Sequence, residues 1–256
     1  MKKISVLLVS SLLIFSCKKN NTPKPAPPDC LLQYVVGTGL AYSEKVNYGT
    51  GNIVLGVEET GGSYTSLVPY ADSMKRVSRI DYFYNTNIIS EKFFNFDANN
   101  RTILITTYQN GGVSQYQGWA YTNNTSTRPS EEKVYTINNG NQALSATNDY
   151  TYDSHGNVLT MVSKTFDTQG NVLTTDNTSF TYDSKPDAEA ILSFMPDVLA
   201  GNTNNITSQV TKDSGGNITA SINSTYTYDS NGNVSQRQDV NNFGVSSTYI
   251  YTFLCH

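Results

Sequence analysis

The sequence predicts an all-β protein: a single large antiparallel meander, strongly curled or open-barrel-like, with one short helical insertion near 187–199. Three observations carry that expectation. The composition favours strands and turns, one turn signature recurs along the second half, and the runs between turns alternate apolar with polar residues. The chain holds 18 Tyr beside many Thr, Ser, Asn and Gly, and lacks long stretches built from Ala, Glu, Leu and Lys. Tyr and Thr suit pleated surfaces, while Asn and Gly suit turns.

The turn signature is clearest in Tyr150-Thr151-Tyr152-Asp153-Ser154-His155-Gly156-Asn157-Val158, which returns as Tyr226-Thr227-Tyr228-Asp229-Ser230-Asn231-Gly232-Asn233-Val234. Looser copies run from Phe166 to Val172 and from Lys212 to Ile218. Phe180 to Lys185 is a truncated copy, and Phe94 to Asn100 a distant one. In each full unit the Asp (Asp153, Asp167, Asp213, Asp229) can accept hydrogen bonds from amides two residues on, the Asx-turn geometry. The Gly three residues later (Gly156, Gly170, Gly216, Gly232) can take the left-handed conformation that closes a type I turn with a bulge.

The flanking runs read as strands. In Ile218-Thr219-Ala220-Ser221-Ile222 the even positions are apolar, and Tyr226 and Tyr228 continue that face. A period of two over this length means a half-buried antiparallel strand. The same reading covers 80–84, 101–108, 113–121, 158–166, 172–182 and 246–253. One stretch differs: 187–199 has helix formers after Pro186, and Pro196 should end or kink any helix there. It reads as a hydrophobic plug over an open end or edge of the sheet, with a ligand lid as the alternative.

The first 29 residues read as address rather than fold. Lys2 and Lys3 precede an apolar run from Ile4 to Phe15, shorter than the roughly 20 residues a membrane helix needs. Residues 1–16 are therefore expected to be a signal peptide. Ile14-Phe15-Ser16-Cys17 resembles the bacterial lipobox, which implies cleavage before Cys17 and lipid on its thiol. The alternative is an ordinary signal peptide with an incidental cysteine. Several acyl chains, at about 0.8 kcal/mol per buried CH₂, would make a durable membrane anchor. Pro23, Pro25, Pro27 and Pro28 then hold the segment 17–29 extended, as a tether to one domain spanning 30–256.

Two further cysteines, Cys30 and Cys255, stand near the two ends of that domain. An oxidising envelope permits a bridge, which would stabilise by about 5 kcal/mol in the chain-entropy model. Two unpaired thiols are the alternative.

Chemistry is scarce. The chain has 2 His: His155 occupies a turn position filled elsewhere by Asn231 or Gln169, and His256 is the last residue. No Gly-x-Ser-x-Gly elbow, His-Glu-x-x-His or phosphate loop is present. Glu58-Glu59 and Glu131-Glu132 are adjacent pairs that point to opposite strand faces. Asp229 to Asn233 has oxygen ligands at alternate positions, but its Gly is fourth and no Glu stands twelfth, unlike an EF-hand loop. No catalytic residue, metal site or cofactor is expected. A net charge of −4 with 15% charged residues leaves no basic stripe for nucleic acid. Trp119, the single Trp, stands in Gln117-Gly118-Trp119-Ala120-Tyr121, and together with Tyr116 and Tyr121 it is a candidate ligand platform. The competing expectation places Trp119 in the core.

The Tyr-Asp-x-x-Gly-Asn units resemble the YD repeats of large secreted wall-associated and toxin-encasing proteins, though this chain has too few to enclose a cargo. Tyr-Asp-Ser-x-Gly turns and the step Tyr182-Asp183-Ser184-Lys185-Pro186 resemble those of Bacteroidetes envelope lipoproteins of unknown function with a porin-like antiparallel β domain. That resemblance covers mainly 150–253 and implies the fold but no activity. It also implies an outer-membrane lipoprotein, and Lys18 and Lys19 in place of acidic residues after Cys17 favour the periplasmic face. A membrane barrel is not expected, because strands such as the one with Thr174, Asp176 and Thr178 carry a polar face. The expected function is a lipid-anchored, non-catalytic binding or structural module for a glycan or an envelope protein. The alternative is a hydrolase or lipid/glycan-handling protein using a cavity inside the curled sheet.

Overall fold

The structure, a computed structural model, describes residues 30–38, 42–50, 53–123, 125–188 and 198–255. Sixteen strands follow one another in the chain. They are β1 (Cys30–Thr38), β2 (Tyr42–Tyr48), β3 (Val54–Thr60), β4 (Ser66–Ala71), β5 (Val77–Tyr84) and β6 (Asn87–Phe96). Next come β7 (Thr102–Gln109), β8 (Gly112–Ala120), β9 (Glu131–Asn138), β10 (Asn141–Tyr152) and β11 (Val158–Phe166). The last are β12 (Val172–Pro186), β13 (Asn204–Lys212), β14 (Ile218–Tyr228), β15 (Val234–Asn241) and β16 (Ser246–Cys255). Each pairs antiparallel with its chain neighbours, and β1 pairs with β16, so the expected curled meander is a closed barrel. Most of the expected helical insertion (189–197) lies outside the described residues; a short 3-10 turn at Leu199–Gly201 follows it.

Antiparallel order assigns every connection to one of two rims. The terminal rim holds the chain ends at Cys30 and Cys255, the turns 72–76, 97–101, 153–157 and 229–233, and the longer connections 121–130 and 187–203. The distal rim is built from shorter links. Two of them are Asn-Gly pairs, Asn110-Gly111 and Asn139-Gly140, with both residues at positive φ. That is the two-residue hairpin turn whose twist matches the strands.

Alternation divides the wall into two faces. Val46, Val57, Leu67, Ile80, Phe94 and Ile105, from six consecutive strands, form one buried cluster. Tyr150, Val158, Phe180 and Val198 form a second, and Leu32, Val35, Val234 and Tyr251 a third. Trp119 on β8 packs against the first two and joins them. The clusters make a ring round the concave face, where side chains converge, in the half nearer the terminal rim. A barrel of sixteen strands is too wide for side chains to fill, and among the described residues the core is a lining in three patches.

Further toward the distal rim the concave face turns polar, with Gln117, Asn148, Ser163, Asp176, Thr211 and Ser224 in register with the apolar ring. The convex face of β12 and β14 is polar along its length. On β12 it presents Thr175, Asn177, Ser179 and Thr181, and on β14 Ser221, Asn223, Thr225 and Thr227.

Candidate functional site: the luminal wall and its rims

The recurring turn is one device used six times with Asp at its head, and once, at Asn241–Val245, with Asn. Asp153 Oδ1 accepts from the amides of His155 (2.8 Å) and Asn157 (2.9 Å), while its Oδ2 accepts from the Asn157 side chain (2.8 Å). The backbone closes the loop in both directions, Asp153 N to Asn157 O and Gly156 N to Asp153 O. Asp167, Asp213 and Asp229 repeat the circuit with Asn171, Asn217 and Asn233. Gly156, Gly170, Gly216 and Gly232 all sit at φ between 84° and 89°.

Two further copies begin at Asp72 and Asp97, where Arg76 and Arg101 replace the Asn and bind the same carboxylates through Nε at 2.8 and 2.7 Å. These guanidiniums also lie over Phe96 and Tyr121, at 4.0 and 4.2 Å from the ring centroids. The Asp72 copy is absent from the sequence reading because Lys75 (φ 63°) stands where Gly is expected; at 97 the position is Asn100 (φ 63°).

Every Asp-headed copy is followed by a register shift in the same place, so the seventh residue counted from the Asp bulges out of the ladder. Leu159, Leu173 and Ile103 occupy bulges and are exposed for that reason, not because they line a site.

A second repeated device is a tyrosine tie at the terminal rim. The hydroxyls of Tyr48, Tyr121, Tyr182 and Tyr226 donate to the carbonyls of Leu32, Thr102, Val158 and Ile206, at 2.6–2.9 Å. Tyr152 does the same to Pro129. Each joins the end of an even-numbered strand, or the residue just after it, to the start of the strand before it or the link leading into that strand, so five of the fifteen hairpins are cross-braced at one rim. Burial pushes the Tyr121 phenol up to about 12 and raises that of Tyr182 further.

The luminal wall at β8–β10 carries a buried carboxylate. Glu132 is 7% exposed. Its Oε1 accepts from Gln117 Nε2 (3.1 Å) and Trp119 Nε1 (3.0 Å), and its Oε2 from Asn148 Nδ2 (2.7 Å) and the Tyr150 hydroxyl (2.9 Å). Four donors compensate the lost hydration.

This arrangement corrects the platform expected from the sequence. Trp119 is opposite Glu132 on the concave face, whereas Tyr116 pairs with Tyr135 on the other face of the same strand. Tyr121 is drawn into its tie to Thr102. The three rings share no face, because positions 116 and 119 differ in parity along a regular strand. Trp119 belongs to the luminal wall with one edge fixed by Glu132.

The other singled-out residues are placed as follows. Cys30 and Cys255 are directly opposite in the β1–β16 ladder and are joined as a disulfide. Cys17, the Pro-rich segment and His256 lie outside the described residues. His155 is an exposed turn residue whose Nδ1 lies 3.9 Å from Asp153 Oδ2. Glu58 faces outward to Lys45 and Asn47. Glu59 stands on the concave face directly opposite Glu44, a juxtaposition that sequence could not show because it depends on the β2–β3 register. A Cβ at Gly62 would fall 1.1 Å from Glu59 Oε1, so the glycine gives that carboxylate its seat. Burial and a hydrogen bond to Glu59 push the Tyr64 phenol far up. Among the described residues no group of three or more His, Cys, Asp or Glu could hold a metal ion.

No family model matches the chain, and no curated protein matches it significantly. Solved structures do. A porin-like protein from Bacteroides uniformis ATCC 8492 is 12% identical with a TM-score of 0.57, over 90% of this chain and 97% of that one. Another from Bacteroides vulgatus ATCC 8482 is 10% identical with a TM-score of 0.51, over 88% and 99%. The likeness at these identities is one of fold: an antiparallel, porin-like barrel spanning nearly the whole of each chain.

Proposed function

We propose that this chain is a lipid-anchored cell-envelope protein, tethered through Cys17 to the outer membrane at its periplasmic face, and that it acts as a non-catalytic binding module. The carrying observation is the concave face of the closed barrel: a ring of apolar side chains near the terminal rim, and beyond it a polar wall. Neither face of the second-half strands offers the continuous apolar band that a lipid-facing strand needs. Even the first half carries charge on its convex face, where Arg79 bridges Asp81 and Glu91 at 2.5 and 3.1 Å. A tethered barrel standing clear of the bilayer suits both facts.

The lumen best fits a hydroxyl-rich ligand such as a glycan. Its wall combines amide and hydroxyl groups with Trp119, Tyr64 and Tyr82, and sugars use both hydrogen bonds and aromatic faces. The turn array that resembles YD repeats serves as scaffolding, since its carboxylates are consumed by their own turns. Full chain carrying Cys17→Ala, released from the membrane, should bind members of a glycan panel. Ser224→Phe, which intrudes into the lumen, should abolish binding, while Thr225→Phe on the convex face should not. Binding that survives Ser224→Phe contradicts the luminal site.

One observation favours the hydrolase reading instead. Glu44 and Glu59 oppose each other on the luminal wall, and a facing pair of carboxylic acids is the machinery that glycosidases use. Hydrolysis of a bound glycan, lost in Glu59→Gln, would replace the binding reading with that one.

A further inference from the structure

Fifteen of the sixteen ladders join strands that follow one another in the chain; the β1–β16 seam joins residues 225 positions apart. It is also held unevenly. β2 pairs with β1 from Tyr34 to Gly37 and no further, so Cys30 to Gln33 have a ladder partner on one side, β16. On that side the register breaks between Leu32 and Tyr34, leaving three residue pairs at the terminal end. The outermost of these is Cys30 with Cys255, the disulfide. One further bond, from the Tyr48 hydroxyl to the Leu32 carbonyl, ties this corner to β2. Beneath it Leu32, 2% exposed, covers Val35, Val234 and Tyr251. Cys255 itself is exposed.

We propose that this disulfide is a reduction-sensitive latch on the barrel wall, and that its opening releases Cys30–Gln33 and uncovers the lumen between β2 and β16 at the terminal rim. The reductant is a dithiol oxidoreductase. One of its thiolates attacks a sulfur of the bridge, forming a mixed disulfide and releasing the other cysteine, which takes up a proton. Its second thiol then displaces the remaining cysteine. Two electrons and two protons reach the protein, and the reductant leaves as a disulfide. The rest of the barrel stays closed, because every other ladder is continued by a chain connection at one rim. A disulfide that served only overall stability would act on the whole cooperative unit; one that latches a corner controls a local opening.

Amide hydrogen exchange on the full chain carrying Cys17→Ala, with and without dithiothreitol, tests this. Reduction should lower protection at least tenfold at residues 30–36 and 249–255, and leave β6 to β12 unchanged. The double variant Cys30→Ser/Cys255→Ser should match the reduced protein and ignore the reductant; if it does not fold, the reduced Cys17→Ala chain carries the test alone. Unchanged protection along the seam overturns the latch. Loss spread round the whole barrel overturns it equally, because the bridge would then be a global brace.

Discussion

Glu132 shows how one side chain organises its surroundings. Its carboxylate fixes the Trp119 edge, two amides and the Tyr150 hydroxyl on the two strands flanking its own. Glu132→Ala would strand these donors in a buried site, at about 1–3 kcal/mol for each one left unpaired. We expect a loss of roughly 3 kcal/mol or more in denaturant titration. Trp119 is the chain's single Trp, so its emission should shift red as water reaches the indole. An unshifted emission would mean that Glu132 does not hold it.

The turn aspartates set the response to acid. Asp167 and Asp213 are held below the ordinary carboxylate range, first by the side chains of Asn171 and Asn217 and then by backbone amides. A depressed folded-state value means that stabilisation is present above the unfolded value, about 3.9, and is lost as pH falls through the lower folded values. The melting temperature should therefore drop below about pH 4, and Asp167→Asn/Asp213→Asn should shrink that drop. An equal drop in the variant would assign acid sensitivity to other groups.

At the scale of elements, the unit is a turn plus the bulge that follows it. Gly232 takes φ 89° and has open space around a would-be Cβ, so the cost of substitution is one of backbone alone. Gly232→Ala should cost about 1 kcal/mol and Gly232→Asn less, since Asn tolerates the left-handed region. Equal costs would argue against that conformation. Tyr182→Phe, which removes the tie to Val158 and keeps the ring, should cost about 1 kcal/mol by the same denaturant measurement.

The four full turns and seven of the strands were legible because Asp and Gly together mark the turn and alternation runs along the stretches between turns. Asp72 escaped notice because Lys75 takes the glycine's conformation, held by the Arg76 circuit rather than by residue type. The tyrosine ties escaped as well: each links a phenol to a backbone carbonyl 16 to 24 residues away, and a carbonyl leaves no mark in a sequence. The distal Asn-Gly pairs at 110 and 139 were visible signals whose hairpin meaning the structure makes plain.

For the whole molecule, the sequence carried a curled meander but not its closure. Closure depends on the pairing of β1 with β16, and the clue to it was the placement of Cys30 and Cys255 at opposite ends of one domain. The number of strands then decides the interior. With sixteen, the circumference is too wide for side chains to fill, so the described apolar residues line the wall, and that concave surface is where the proposed ligand site lies. The site followed the same logic: Trp119 was visible as a candidate, yet its face and its partner Glu132 came from register alone.

The most direct test follows Trp119 emission in the Cys17→Ala chain while soluble oligosaccharides are added, beside the Ser224→Phe and Thr225→Phe variants. A saturable change is expected in the parent and in Thr225→Phe, and none in Ser224→Phe. A saturable change that persists in Ser224→Phe, or no change in any of the three across the panel, would contradict a ligand-binding lumen.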